Sequence, residues 1–407
     1  MGYFSQVLKG AGWMGGLRAS TRVFSYIKVA ILARLLTPRQ FGLFGIASIL
    51  LALLETVTET GINVFFLQGE GKIKDYLDTA WVVSILRGIA ISLLIIISAP
   101  FVATFFNSPE SLTLIYFTSL VSFIRGFINP AIISLRKELK FRKEFLIYLT
   151  VFSIDALAAI IYAFYTKTAA SLVLGMSVSA VAEVVLSFVV IPERPAFRFN
   201  AAKAKKIVKR GKYVTIAQST SLAYNQGDDI FVGRLLNTQA LGLYQIAYKF
   251  STLPLTEIAE VLHKVTFPVY VKIVGDLKRL KNAYFKVALS TFVLVFPVGI
   301  LLYLFPENII LFFLGNQWLE AADLLRILAL FGVMRALIFT SNSLFLSLKK
   351  QEYVALGNTL SFLGMAISAY PFITRFGLIG AAYSAITGLV ISIPITTILL
   401  IKTLRNG

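Results

Sequence analysis

Ala33-Arg34-Leu35-Leu36-Thr37-Pro38-Arg39-Gln40-Phe41-Gly42-Leu43-Phe44-Gly45-Ile46-Ala47 returns, altered, 200 positions later as Gly233-Arg234-Leu235-Leu236-Asn237-Thr238-Gln239-Ala240-Leu241-Gly242-Leu243-Tyr244-Gln245-Ile246-Ala247. The Arg-Leu-Leu, Gly-Leu and Ile-Ala groups coincide. Each copy sets an Arg, a turn and a Gly at what reads as the outer end of a helix hairpin. There Arg reaches the membrane interface and Gly lets helix backbones approach. A weaker echo relates Leu174-Gly175 and Ser179-Ala180 to Ile379-Gly380 and Ser384-Ala385. An even number of spans between the copies gives them one orientation, so the halves should be related by an axis along the membrane normal. The motif itself is read as fixing a hairpin and not as a substrate site.

Composition supports a chain built for lipid. Of 407 residues, 57% are hydrophobic and 14% charged, far from the soluble range. Twelve spans of about 20 residues would take roughly 240 positions and leave no room for a soluble domain. The net charge of +19 suits loops facing anionic headgroups better than nucleic acid. With no Cys and one His, His263, the chain has little material for a metal site, a disulfide or a catalytic triad. The N-terminal segment does not read as a cleavable signal peptide, so insertion is expected to use the first span.

Apolar runs place spans near 11–33, 41–67, 80–105, 112–134, 146–166, 171–191, 212–236, 240–270, 284–305, 323–347, 353–374 and 377–401, with an interfacial loop over 306–322. The expected fold is an all-α polytopic membrane protein of about twelve transmembrane helices in two six-helix lobes related by a parallel internal repeat. Residues 1–191 form the N-terminal lobe, 192–211 a basic cytoplasmic linker and 212–407 the C-terminal lobe. The run Arg136, Lys137, Lys140, Arg142 and Lys143, and that from Arg194 to Lys212, mark the inner side, whereas Arg34, Arg39, Lys167, Arg234 and Arg375 fall outside. By the positive-inside rule both termini are cytoplasmic. The basic linker would lie along inner headgroups, as a charged connection or as a lipid site.

Arg18, Arg22, Lys28, Arg87, Arg125, Lys249, Lys264, Lys286, Arg326 and Arg335 all fall within these spans. Lys264, Lys286 and Arg326 are near enough to span ends to snorkel. A charge at mid-membrane costs about 3 kcal/mol on insertion scales, so the deeper ones need a wet interior or a partner. Arg18, Arg22 and Lys28 share the first helix, as a cationic surface or as an interfacial amphipathic segment. Arg87 (in ILRGI) and Arg125 (in FIRGF) are deeper still. The acids at similar depth are Glu55, Glu59, Asp155, Glu183, Asp228, Asp229, Glu257 and Glu260. Glu55 with Glu59, and Glu257 with Glu260, have spacings that share a helical face. Asp155 stands isolated in sequence, either as an ion-coupling site or as half of a structural salt bridge. Asp228-Asp229, after Asn225-Gln226-Gly227, suggests a polar, broken segment in span seven. Gln218, Ser219, Thr220, Ser221, Tyr224 and Asn225 precede it and could line a sugar path or glue helices together.

Around ILARLLTPRQFGLFGIA, with the first-hairpin stretch from Gly10, the basic FRKE loop and the six-plus-six plan, the chain resembles the polysaccharide-transport branch of the multidrug/oligosaccharidyl-lipid/polysaccharide exporter superfamily. The resemblance implies a V-shaped transporter with a cationic central cavity, not an enzyme. It implies alternating-access export of a polyprenyl-pyrophosphate-linked oligosaccharide from the inner to the outer leaflet of the cell membrane. Arg18, Arg22 and Lys28 match the family's basic first helix, and with Arg87, Arg125 and Lys249 they are the expected substrate-binding cations. Gln218, Thr220, Tyr224 and Asn225 are the glycan-lining candidates, and Asp155, Asp228, Asp229, Glu55, Glu59, Glu257 and Glu260 the ion-coupling ones. No cofactor or metal is expected beyond a coupling H⁺ or Na⁺. The implied partners are the lipid-linked sugar, membrane lipids and polysaccharide assembly proteins around a monomeric transporter. Longer members reach fourteen spans, so a groove built by extra helices is not expected here. Arg forks onto phosphate at any pH, which suits an anionic headgroup. A cation-coupled multidrug exporter, which wants acids and aromatics at its centre, is the competing reading, and a scaffold or lipid-modifying enzyme a third.

Overall fold

The computed structural model describes residues 3–68 and 73–406, except the side chains of residues 3–15, 17–19, 64, 68, 210–217, 220, 405 and 406. The N-terminal half comprises α1 (Tyr3–Leu35), α2 (Pro38–Val57), α3 (Ile62–Gln68), α4 (Ile73–Phe105), α5 (Ser111–Arg125), α6 (Ser134–Lys137), α7 (Phe141–Thr166) and α8 (Ala170–Val190). There follow α9 (Ala201–Leu235), α10 (Thr238–Ile273), α11 (Leu277–Leu304), α12 (Pro306–Phe313), α13 (Ala322–Ser347) and α14 (Gln351–Asn406). No strand occurs among the described residues.

The two repeated stretches fold into the same corner. Leu36 N donates to Leu32 O at 2.8 Å and Leu236 N to Val232 O at 3.0 Å, closing the last turns of α1 and α9. The Thr37 hydroxyl then accepts from the Gln40 amide at 3.4 Å, and Asn237 Oδ1 from the Ala240 amide at 2.8 Å. Both caps satisfy an orphan N–H at the start of the second helix, so the turn is set locally in each half. Arg34 and Arg234 are exposed at these corners.

Among the described residues, seven helices are long and apolar enough to cross a membrane, and eight count if α5 and the Pro130–Lys137 segment form one bent span. α1, α9 and α10 are not among them. These are the helices that carry Arg22, Lys28, Asp228, Asp229, Lys249, Glu257 and Glu260, whose charges lower their hydropathy.

Several expected spans differ in shape from a single rod. The second stops at Val57 and restarts as α3, so Glu55 and Glu59 do not share a helical face. The fourth ends at Arg125 and turns by 71° into a 3-10 turn at Pro130–Ile133 and then α6. Asn129 is extended, as the residue before proline prefers, and its amide donates to Ser187 Oγ at 3.0 Å. Span seven, by contrast, is unbroken: α9 runs through Asn225–Asp229 without interruption. From Ala201 the basic segment is simply the start of that helix. Gly377, at φ +59°, supplies the left-handed residue between the two last spans, which α14 otherwise joins.

The chain divides into two compact units, Met1–Ser219 and Thr220–Gly407, with the division inside α9. In unit one α7 packs on α1 and α8, and α5 on α4, α2 and α8. Ala196 N donates to Asp78 Oδ1 at 2.9 Å, and Lys203 Nζ to the Asp75 carbonyl, which ties the basic segment to the start of α4. In unit two α13 is the hub, packing on α10, α11 and α14.

Candidate functional site

The Arg-Gly pairs of ILRGI and FIRGF explain how unit one holds its deep arginines. A Cβ on Gly88 would lie 2.8 Å from Gly126 Cα and 2.8 Å from Ser122 O, so α4 and α5 touch through bare backbone there. That contact places Arg87 and Arg125 side by side against the end of α2. Arg87 Nε donates to Thr58 O at 2.9 Å, and Nη2 to Glu55 O at 2.5 Å. Its guanidinium therefore caps carbonyls left orphaned where α2 ends, and it also reaches Glu59 Oε2 at 3.5 Å. Arg125 Nη1 pairs with Glu55 Oε1 at 3.2 Å, and Glu183 of α8 lies within electrostatic reach of both. Two carboxylates thus surround the Arg125 charge.

Asp155 is isolated only in sequence. Lys28 Nζ donates to its Oδ2 at 2.6 Å, joining α1 to α7. Gly175 of α8 comes so near that an added Cβ would meet Asp155 O at 2.7 Å. Asp155 Oδ1 is buried in this contact without a hydrogen-bond partner. Arg22 is exposed on α1. The side chains of Arg18 and Thr220 lie outside the described residues, and Gln218 is exposed.

Unit two gathers a different set. Asp228, 8% exposed, accepts from Tyr244 Oη at 2.7 Å, and Asp229 Oδ2 accepts from Gln245 Nε2 at 3.0 Å. Tyr244 and Gln245 replace Phe44 and Gly45 of the first copy, and Asp228 and Asp229 stand where the first half has Lys28 and Val29. The polar differences between the copies are thus partners of one another. Lys249 and Glu257 are half-buried, and Glu260 takes Lys264 at 3.6 Å one helical turn away.

Arg335, which the sequence reading left out of the site, is the centre of this unit. It projects from α13 toward α9 and α10, donating Nη1 to Tyr248 Oη and Nη2 to Asn225 Oδ1. Its Cζ lies 4.8 Å from the Tyr224 ring centroid and 5.7 Å from that of Phe331. Asp228 acts on it at a distance, but no described carboxylate forms an ion pair with it. Neutral partners hold the plane while the charge stays unneutralised, and the group is only half-buried. Tyr224 and Asn225, both glycan-lining candidates, are therefore brought together. One signal could have found Arg335. Counted from the helix start, it sits on α13 within one position of where Arg125 sits on α5, the matching fourth span of the other half.

Long apolar helices, a polar corner found in both halves and charges held between helices define a polytopic α-helical membrane protein. A polysaccharide biosynthesis protein family model matches residues 31–323, and the chain belongs to that family. It is similar to the teichuronic acid biosynthesis protein TuaB of Bacillus subtilis (strain 168), with 22% identity over 346 residues, covering 84% of this chain and 71% of TuaB. Its fold is similar to that of the lipid II flippase MurJ, with a TM-score of 0.78 at 16% identity over 96% of this chain and 88% of MurJ. It is also similar to a multidrug resistance MATE family transporter of the MOP superfamily, with a TM-score of 0.67 at 16% identity over 95% and 96% of the two chains. The fold is thus shared by a lipid II flippase and by a multidrug resistance transporter, and does not by itself assign a function.

Proposed function

We propose that this protein is a flippase that moves a lipid-pyrophosphate-linked oligosaccharide from the inner to the outer leaflet of the cell membrane by alternating access, with both termini cytoplasmic. The observation that carries the reading is Arg335. A drug exporter for organic cations gains nothing from an unneutralised guanidinium, whereas a pyrophosphate takes its forked donors directly. Tyr224 beside it offers an aromatic face of the kind that sugar rings stack on, and Asn225 an amide. The family match to polysaccharide biosynthesis proteins points the same way.

The deciding assay is leaflet transfer of a fluorescent polyprenyl-pyrophosphate oligosaccharide in proteoliposomes, with and without imposed pH, Na⁺ and voltage gradients. Gradient-stimulated transfer is the expected result. Folded protein that transfers none of it yet effluxes organic cations would move the assignment to the drug-exporter reading.

For coupling, Glu55 and Glu183 around Arg125 are the favoured acids, because one guanidinium fully balances only one carboxylate and the other is free to carry a proton. Lys28 already balances Asp155. Glu183→Gln is therefore expected to keep basal transfer and lose the response to a pH gradient. An unchanged response in this variant would remove the pair from the coupling mechanism.

A further inference from the structure

From Arg194 to Lys212 the chain carries eight basic residues and no acid. The first part of this run is fixed against unit one. Trp81 of α4 holds it to the end of α8: its ring centroid lies 5.9 Å from that of Phe188, in the last turn of α8, and 4.5 Å from that of Phe197. Its Nε1 donates to Phe127 O at 3.1 Å. Asn129 Nδ2 donates to Glu193 O at 2.8 Å, and Asn200 Oδ1 accepts from Lys203 N at 3.0 Å to open α9. Ile207, fully buried, packs among Ile62, Phe65, Phe66, Ala80 and Ile133. Phe197 is thus held at the level where α8, a candidate span, ends on the side that the basic loops assign to the cytoplasm.

What this frame leaves outward is of two kinds. Phe197 and Phe199 are 73% and 57% exposed, on either side of the exposed Arg198. Lys205, Lys206 and Lys209 are exposed at the start of α9, while Ile207 faces the protein. Two other bases are used within the fold, since Arg194 Nη1 donates to the Phe188 and Ile191 carbonyls and Lys203 Nζ to that of Asp75. Arg198, Lys205, Lys206 and Lys209 pair with no carboxylate among the described residues. A soluble anion has no use for two exposed phenyl rings, and an apolar partner has none for four unpaired cations. An anionic phospholipid meets both, its phosphate the cations and its acyl boundary the rings. We propose that Phe197-Arg198-Phe199 with Lys205, Lys206 and Lys209 forms a docking surface for anionic phospholipid of the inner leaflet. The surface does not depend on which cargo the protein carries.

The test is lipid retention by the purified full-length protein in detergent, read by native mass spectrometry, so it does not depend on a transport assay. The probes are phosphatidylglycerol, which is anionic, phosphatidylcholine, which carries no net charge, and soluble glycerol phosphate as competitor. Phosphatidylglycerol is expected to be retained at least about tenfold more strongly than phosphatidylcholine, since each base near an anionic surface is worth about fivefold. The triple variant Lys205→Gln, Lys206→Gln and Lys209→Gln should lose most of that preference. A second triple variant, Lys272→Gln, Lys278→Gln and Lys281→Gln, removes the same charge from exposed positions around the connection of α10 to α11 and should keep it. Equal loss in the two would reduce the effect to net charge and overturn the site. Phe199→Ala, which removes a largely exposed ring and so guards against misfolding, should weaken phosphatidylglycerol several-fold, and wild-type retention there would count against the lipid. Competition by glycerol phosphate would assign the surface to soluble anions, and equal retention of the two phospholipids would leave it to an acidic protein; either result overturns the proposal.

Discussion

Arg335→Gln is expected to lower transfer of lipid-linked oligosaccharide by roughly ten- to a hundredfold while leaving folded yield near wild type. Hydrogen bonds to a charged group are worth about 1.5–3 kcal/mol, and each 1.4 kcal/mol is tenfold. Gln keeps a donor for Asn225 and Tyr248, so the packing of α13 on α9 and α10 has a substitute and only the charge and the fork are lost. Arg335→Lys restores the charge but neither the bidentate geometry nor the stacking on Tyr224, and should recover only part of the activity. The two measurements needed are initial transfer rate in proteoliposomes and thermal unfolding in detergent. Wild-type transfer in Arg335→Gln would remove this residue from the substrate path.

The second large effect is expected on stability. Asp155→Asn leaves the Lys28 ammonium, 15% exposed, without its counter-charge between α1 and α7. Removing one partner of a buried ion pair costs about 3–5 kcal/mol, whereas replacing both by apolar groups is often neutral. The double variant Lys28→Met with Asp155→Leu should therefore recover most of the melting temperature lost in Asp155→Asn. Such a cycle separates a structural pair from a coupling site. If Asp155→Asn keeps its melting temperature and loses only the gradient response, the pair is part of the transport mechanism.

Much of the fold can be read directly from residues. Corner geometry is local, since Thr37 and Asn237 cap helices a few residues away, and the repeat displayed both corners without any knowledge of packing. Breaks were harder to read. Val57 to Ile62 looked continuous because apolarity runs across it, and the termination of α2 depends on Arg87, which arrives from α4 to cap it. The Asp228-Asp229 pair looked like a helix breaker, yet Tyr244 and Gln245 satisfy it side-on and α9 continues.

By itself, then, the sequence determined that this is a helical membrane protein with two like hairpins and an excess of intramembrane charge, because apolar length, turn chemistry and composition act over a few residues. Only the tertiary structure decided which charges are neutralised within the fold. Lys28 meets Asp155 across 127 positions and Arg125 meets Glu55 across 70, while Arg335 meets neutral Asn225 across 110. A direct ion pair needs its groups within about 4 Å of each other, so an arginine that meets a carboxylate and one that meets only neutral partners are indistinguishable until the helices are packed.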